Sequence, residues 1–188
     1  MSKNGLLCYC TEKTNSNGGN GMYTSISHFI DEWNQEAATT QKVLDALTDE
    51  SLQQRVSPED RTLGAIAWHI VSSTPGMLIE FGVTVDSVKD ESTIPTSARE
   101  IAETFRSVSA NTSEAIGNQW TDQTLTEMKN VFGMELQKAA TLNMLIKHIV
   151  HHRGQMTVLM RQAGLKVPGV YGPSREEWSL MGMEAPSI

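Results

Sequence analysis

Apolar side chains return every three or four residues along four stretches of this chain, the repeat expected of helices with one buried face. The first stretch runs from Ser25 to Leu47. It carries Ile26, Phe29, Ile30, Trp33, Ala37, Val43, Leu44 and Leu47, with Asp31, Glu32, Gln35 and Glu36 turned toward water. A polar connection follows from Thr48 to Arg61, in which Ser57-Pro58 has the composition of a helix start. The second helix is expected from Thr62, through Leu63, Ile66, Trp68 and Ile70, to Phe81. Pro75 lies within it. Proline lacks an amide proton and its ring presses on the carbonyl four residues back, which predicts a kink or break between Ser72 and Gly76.

Residues 84–96 read as loop. Ser97-Ala98-Arg99-Glu100 has the form of a capping box, and Ile101, Phe105, Val108, Thr112 and Ile116 then share a stripe ending around Trp120. Residues 121–135 fit either a short hairpin or an irregular crossover. Thr141 is the expected N-cap of the fourth helix, with Leu136 to Ala140 as a possible earlier turn. Leu145, His148, His152, Met156 and Leu159 occupy one face of it, up to a C-cap at Gly164. Val167 to Pro173 reads as loop, and Ser174 and Glu177 are spaced to cap a short last helix bearing Trp178. Four long helices with almost no strand signal predict an all-α four-helix bundle. Residues 1–21 end in a glycine- and asparagine-rich tract and are expected to form a flexible extension, with Met22 as an alternative start. Residues 22–188 are expected to form one domain.

Composition narrows the function. A hydrophobic fraction of 39% supports a packed core, and a net charge of −7 without a basic cluster argues against nucleic acid or an anionic membrane surface. No run approaches the roughly 20 apolar residues needed to span a bilayer. Leu6-Leu7-Cys8-Tyr9 is too short for a secretory signal core, so the expected location is cytoplasmic. Cys8 and Cys10 lie in the tail, which leaves the body without a thiolate nucleophile.

The stretch from His148 to Gln155, His-Ile-Val-His-His-Arg-Gly-Gln, carries the candidate chemistry. Helix residues advance by about 100°, so His148 and His152 project along nearly one line, one turn apart. That spacing lets two ring nitrogens bind one metal ion. His151 points elsewhere. A third ligand should come from a facing helix: His28 lies near an exposed helix start, whereas His69 sits mid-helix beside Trp68 and Ile70, so His69 is chosen. A histidine cluster bridged by water is the alternative. Gln155 is a candidate contact for a cofactor or substrate, or else a surface glutamine. Arg153 is a candidate for a cofactor carboxylate or a dimer partner, or else one half of an internal salt bridge.

Trp68-His69-Ile70, the block His148-x-x-His151-His152-Arg153-Gly154-Gln155, then Leu159 to Gly164 and Val167-Pro168 together resemble the DinB-like family of bacterial four-helix proteins. The resemblance covers most of residues 22–178. It implies a divalent metal, nickel or zinc, held by His69, His148 and His152, often in a homodimer. Three imidazoles leave a dication room for another ligand, so either water is activated for hydrolysis or a thiol is held as thiolate. The resemblance implies the second: a small-molecule S-transferase using a low-molecular-weight thiol such as bacillithiol. A non-catalytic metal- or ligand-binding stress protein and a metal-dependent hydrolase are the competing expectations.

Overall fold

A computed structural model describes residues 23–88 and 92–187; the expected extension over residues 1–21 lies outside the described residues. Four helices make the body: α1 (Ile26–Asp45), α2 (Leu63–Phe81), α3 (Ala98–Gln119) and α4 (Lys138–Gln162). Three of them start at the residues the pattern indicates. The side chains of Ser25, Thr62 and Ser97 accept hydrogen bonds from the backbone N–H groups of His28, Ala65 and Glu100, which would otherwise be orphaned at the first turn. The stripes face a shared core in which Phe29, Trp33, Leu63, Ile70, Phe81, Phe105, Ile116 and Leu145 are fully buried.

Around the bundle the order is α1, α3, α2, α4: α1 packs on α3 and α4, and α2 on α4 and α3. Helices consecutive in the chain, α1 with α2 and α3 with α4, therefore sit across the diagonals. The two connections that make those diagonal passages carry structure of their own. Between α1 and α2 a 3₁₀ turn, Glu50–Gln53, buries Leu52 against Gly64, where a Cβ would lie 3.1 Å from the Leu52 Cβ. Between α3 and α4 come a second 3₁₀ turn, Asp122–Thr126, and an antiparallel hairpin of β1 (Met128–Val131) and β2 (Met134–Gln137). Of the two expectations for this stretch, the hairpin is the one observed.

Four local expectations need correction. Of the kink or break expected at Pro75, the break does not occur: α2 runs through it as one helix. The helix is buried along most of its length, and its packing outweighs the roughly 3 kcal/mol that an interior proline costs. Ser57-Pro58 forms a turn closed by Asp60 N–H on the Ser57 carbonyl rather than a helix start. Helix α4 begins a turn before Thr141, at Lys138, whose N–H is accepted by the Glu127 carbonyl; Thr141 is buried and donates to the Lys138 carbonyl. Glu36 is not turned to water but is largely buried against Arg153. At the C-terminal end of the chain, Glu177 accepts from the Gly169 and Ser174 N–H groups, and a 3₁₀ turn, Trp178–Met181, follows.

Candidate metal centre

The α2–α4 seam brings three histidines together. His69 projects from α2, and His148 and His152 from successive turns of α4. The Nε2 atoms of His69 and His148 are 3.2 Å apart. Ring centroids of the three pairs lie 4.5 to 5.1 Å from one another, and one nitrogen from each ring falls within 4.8 Å of the other two. Imidazole nitrogens bound at about 2.0–2.1 Å in a tetrahedral site stand about 3.3 Å apart. The separation already present between His69 and His148 therefore matches two ligands of one ion. The three histidines could hold a metal ion.

Their protonation state suits that role. Burial pushes His69 down to about 4 and His148 down to about 3, and the neighbouring histidines and Arg61 push in the same direction. His152 is also lowered, first by burial, against the opposing effect of its hydrogen bond to Gln155. At neutral pH all three rings carry lone pairs. They are half-buried at the seam rather than sunk in the centre of the bundle, so the cluster has an open side.

Gln155 is exposed and lies between two of the histidines. Its Oε1 is 2.8 Å from His152 Nδ1, and its Nε2 is 3.2 Å from His151 Nε2. The carbonyl oxygen can only accept, so His152 Nδ1 carries the proton and His152 Nε2 keeps its lone pair for the cluster. His148 is less supported: its buried Nδ1 has no hydrogen-bond partner among the described residues. No Asp or Glu belongs to the cluster among the described residues.

Arg153 is not at the centre. It is 1% exposed and points from α4 toward α1, where it donates to Glu36 Oε2 (2.6 Å), the Glu36 carbonyl (3.1 Å), Thr40 Oγ1 (3.0 Å) and Tyr171 Oη. Its donors are occupied inside the protein, which is the salt-bridge alternative rather than a free contact for a cofactor. His28 is exposed at the start of α1, and Trp68 and Trp120 are buried in the core. The residue missed from sequence is Arg61, whose charge acts on all three rings. Nothing in the spacing marks it, because its approach depends on the path of the α1–α2 connection. A groove of about 590 Å³ lies elsewhere, between Val158 and Arg161 of α4 and the loop bearing Val170 and Tyr171. The arginine lining it is paired with Glu176.

The sequence profile of the DinB family matches residues 22–186. A protein of Bacillus subtilis (strain 168) described as uncharacterized protein YrdA is 45% identical over 167 residues, which span 89% of this chain and all of that protein. Among solved structures, a DinB-like protein from Bacillus cereus ATCC 10987 is 47% identical, with a TM-score of 0.76 over 80% of this chain and all of that one. A second DinB-like protein, YjoA of Bacillus subtilis, shares the fold at 15% identity and a TM-score of 0.59, over 76% of this chain and 96% of its own.

Proposed function

This chain belongs to the DinB family, and on that footing we propose that it is a divalent-metal-dependent enzyme that transfers a low-molecular-weight thiol to a small electrophile. His69, His148 and His152 are the proposed ligands. The observation that carries the reading is the convergence of three neutral imidazoles from two helices, with no carboxylate in the cluster among the described residues. A zinc or nickel ion held there would act as a Lewis acid that keeps a thiol deprotonated near neutral pH.

The protein's own part is orientation. Helix α2 supplies one ring and α4 two, so the donor set depends on the packing of that pair. Gln155 holds His152 in the tautomer whose Nε2 is free. In the transfer, sulfur forms the new bond to the electrophilic carbon, the leaving group departs with its bonding pair, and the thiol proton goes to solvent. A hydrolase built on histidine ligands commonly adds a carboxylate base, as in the zinc proteases, and no described carboxylate joins this cluster. The proposal extends to a homodimer, which rests on the family resemblance.

Elemental analysis of the purified protein, alongside His148→Ala and His152→Ala, tests the ligands: both replacements should lose the metal that the wild type retains. Consumption of bacillithiol, mycothiol or glutathione with 1-chloro-2,4-dinitrobenzene then tests the reaction. Metal retained by both variants removes the centre. Metal bound without consumption of any of the three thiols leaves a metal-binding protein rather than a transferase.

A further inference from the structure

We propose that His151 is a positioning residue of the histidine centre: it fixes the Gln155 amide and, through it, the ring nitrogen that His152 offers to a metal. Gln155 lies three residues beyond His152 and four beyond His151, so on α4 it neighbours both rings at once. Both contacts are made. His152 Nδ1 is 2.8 Å from Gln155 Oε1, and His151 Nε2 is 3.2 Å from Gln155 Nε2. The two rings stand edge to face, with centroids 4.9 Å apart. The His151 ring has no other hydrogen bond among the described residues.

An amide has one accepting end and one donating end, so its two contacts cannot be set independently. With the carbonyl toward His152, the proton sits on His152 Nδ1 and Nε2 keeps its lone pair. The amide NH2 must then find an acceptor on the other side, and His151 Nε2 is that acceptor. Turned over, the amide would donate to His152 Nδ1 and leave the ring proton on Nε2, the atom a metal needs. Gln155 is exposed and has three rotatable side-chain bonds, so a single contact would leave it free to sample both arrangements. The second contact holds one of them. His151 thus serves the centre without belonging to it, an exposed imidazole beside the triad and outside the group of possible ligands.

This role rests on the proposed metal centre, and its test separates the two. Zinc affinity is measured by competition with a chromophoric chelator for the wild type, His151→Ala, His151→Gln, Gln155→Ala and the double alanine variant. The His152 tautomer is read in the metal-free proteins from the NMR shifts of its ring nitrogens. Gln155→Ala should weaken zinc binding by about 10- to 100-fold, the range for lost partners of metal ligands. His151→Ala should weaken it by about tenfold and move the His152 proton from Nδ1 toward Nε2. His151→Gln, which keeps an acceptor at similar reach, should restore most of both. In the Gln155→Ala background the change at His151 should have no further effect. Zinc bound equally well by the wild type and His151→Ala, or a His152 tautomer unmoved in His151→Ala, overturns the role and leaves the metal centre standing. So does an equal loss with and without Gln155, as a direct ligand or a direct charge effect would give. If the wild type binds no zinc but its His152 tautomer still depends on His151 through Gln155, the metal reading falls and the coupling of the two rings stands.

Discussion

Arg153 shows what one residue can decide in this molecule. A guanidinium that is nearly fully buried must have its donors met, and here Glu36, Thr40 and Tyr171 meet them, with the Tyr171 hydroxyl also 2.9 Å from Glu36 Oε2. The cluster ties α4 to α1 and to the loop after α4, one residue from His152. Removing one partner strands the other, so Arg153→Ala should destabilise the protein by about 3 kcal/mol in urea denaturation. Replacing both, as Arg153→Met with Glu36→Gln, should cost clearly less than the sum of the single changes. Additive costs would mean that the pair is not coupled. The sequence left Arg153 open between a ligand contact and an internal ion pair, because its partner lies 117 positions away.

Helix starts were legible at the scale of elements where the cap is local. Ser25, Thr62 and Ser97 each precede an apolar run and each accepts a hydrogen bond from three residues on. Other first-turn donors are met from a distance: Asp122 accepts from Ile26 N–H and Asp49 from Ala98 N–H, across 96 and 49 positions. The start of α4 stood open between Thr141 and the turn before it for the same reason, since the hairpin leads directly into it and Glu127 supplies the acceptor. In that hairpin Phe132 and Gly133 both have positive φ, 51° and 82°, the pattern of a type I′ turn that favours Asn-Gly. Phe132 is half exposed. Phe132→Asn should therefore raise stability by about 0.5 kcal/mol, whereas Gly133→Ala should lower it by about 1 kcal/mol. Thermal melts of the two variants check the signs; a loss with asparagine would show that the phenyl ring contributes packing that outweighs the turn.

For the molecule as a whole, the half-buried histidines set a pH dependence. The unfolded chain takes up protons on His69 and His148 near their ordinary value of 6.5, while the folded protein resists until about 4 and about 3. Between those limits the unfolded state binds more protons. The stability of the metal-free protein should thus be flat above about pH 7 and decline as pH falls from about 6.5 toward 4. Glu176, held down to about 2 by Arg161, belongs to a lower window. His69→Gln combined with His148→Gln should flatten the decline in denaturation midpoints measured from pH 7 to 4.5. An unchanged slope would assign it to other groups.

Local order in this chain follows from the sequence because its causes are local. Apolar spacing places four helices, three side chains cap them, and an i, i+4 pair aligns His148 with His152. The hairpin after α3 and the course of α2 through Pro75 were open or misjudged, since packing rather than propensity settles them. The ring order α1, α3, α2, α4 is a tertiary fact, produced by two diagonal connections whose contacts span long separations. That order seats α2 against α4 and sets His69 Nε2 3.2 Å from His148 Nε2. It also turns Arg153 inward to Glu36. Periodicity determines which face a residue occupies; only the packed chain determines which other face it meets.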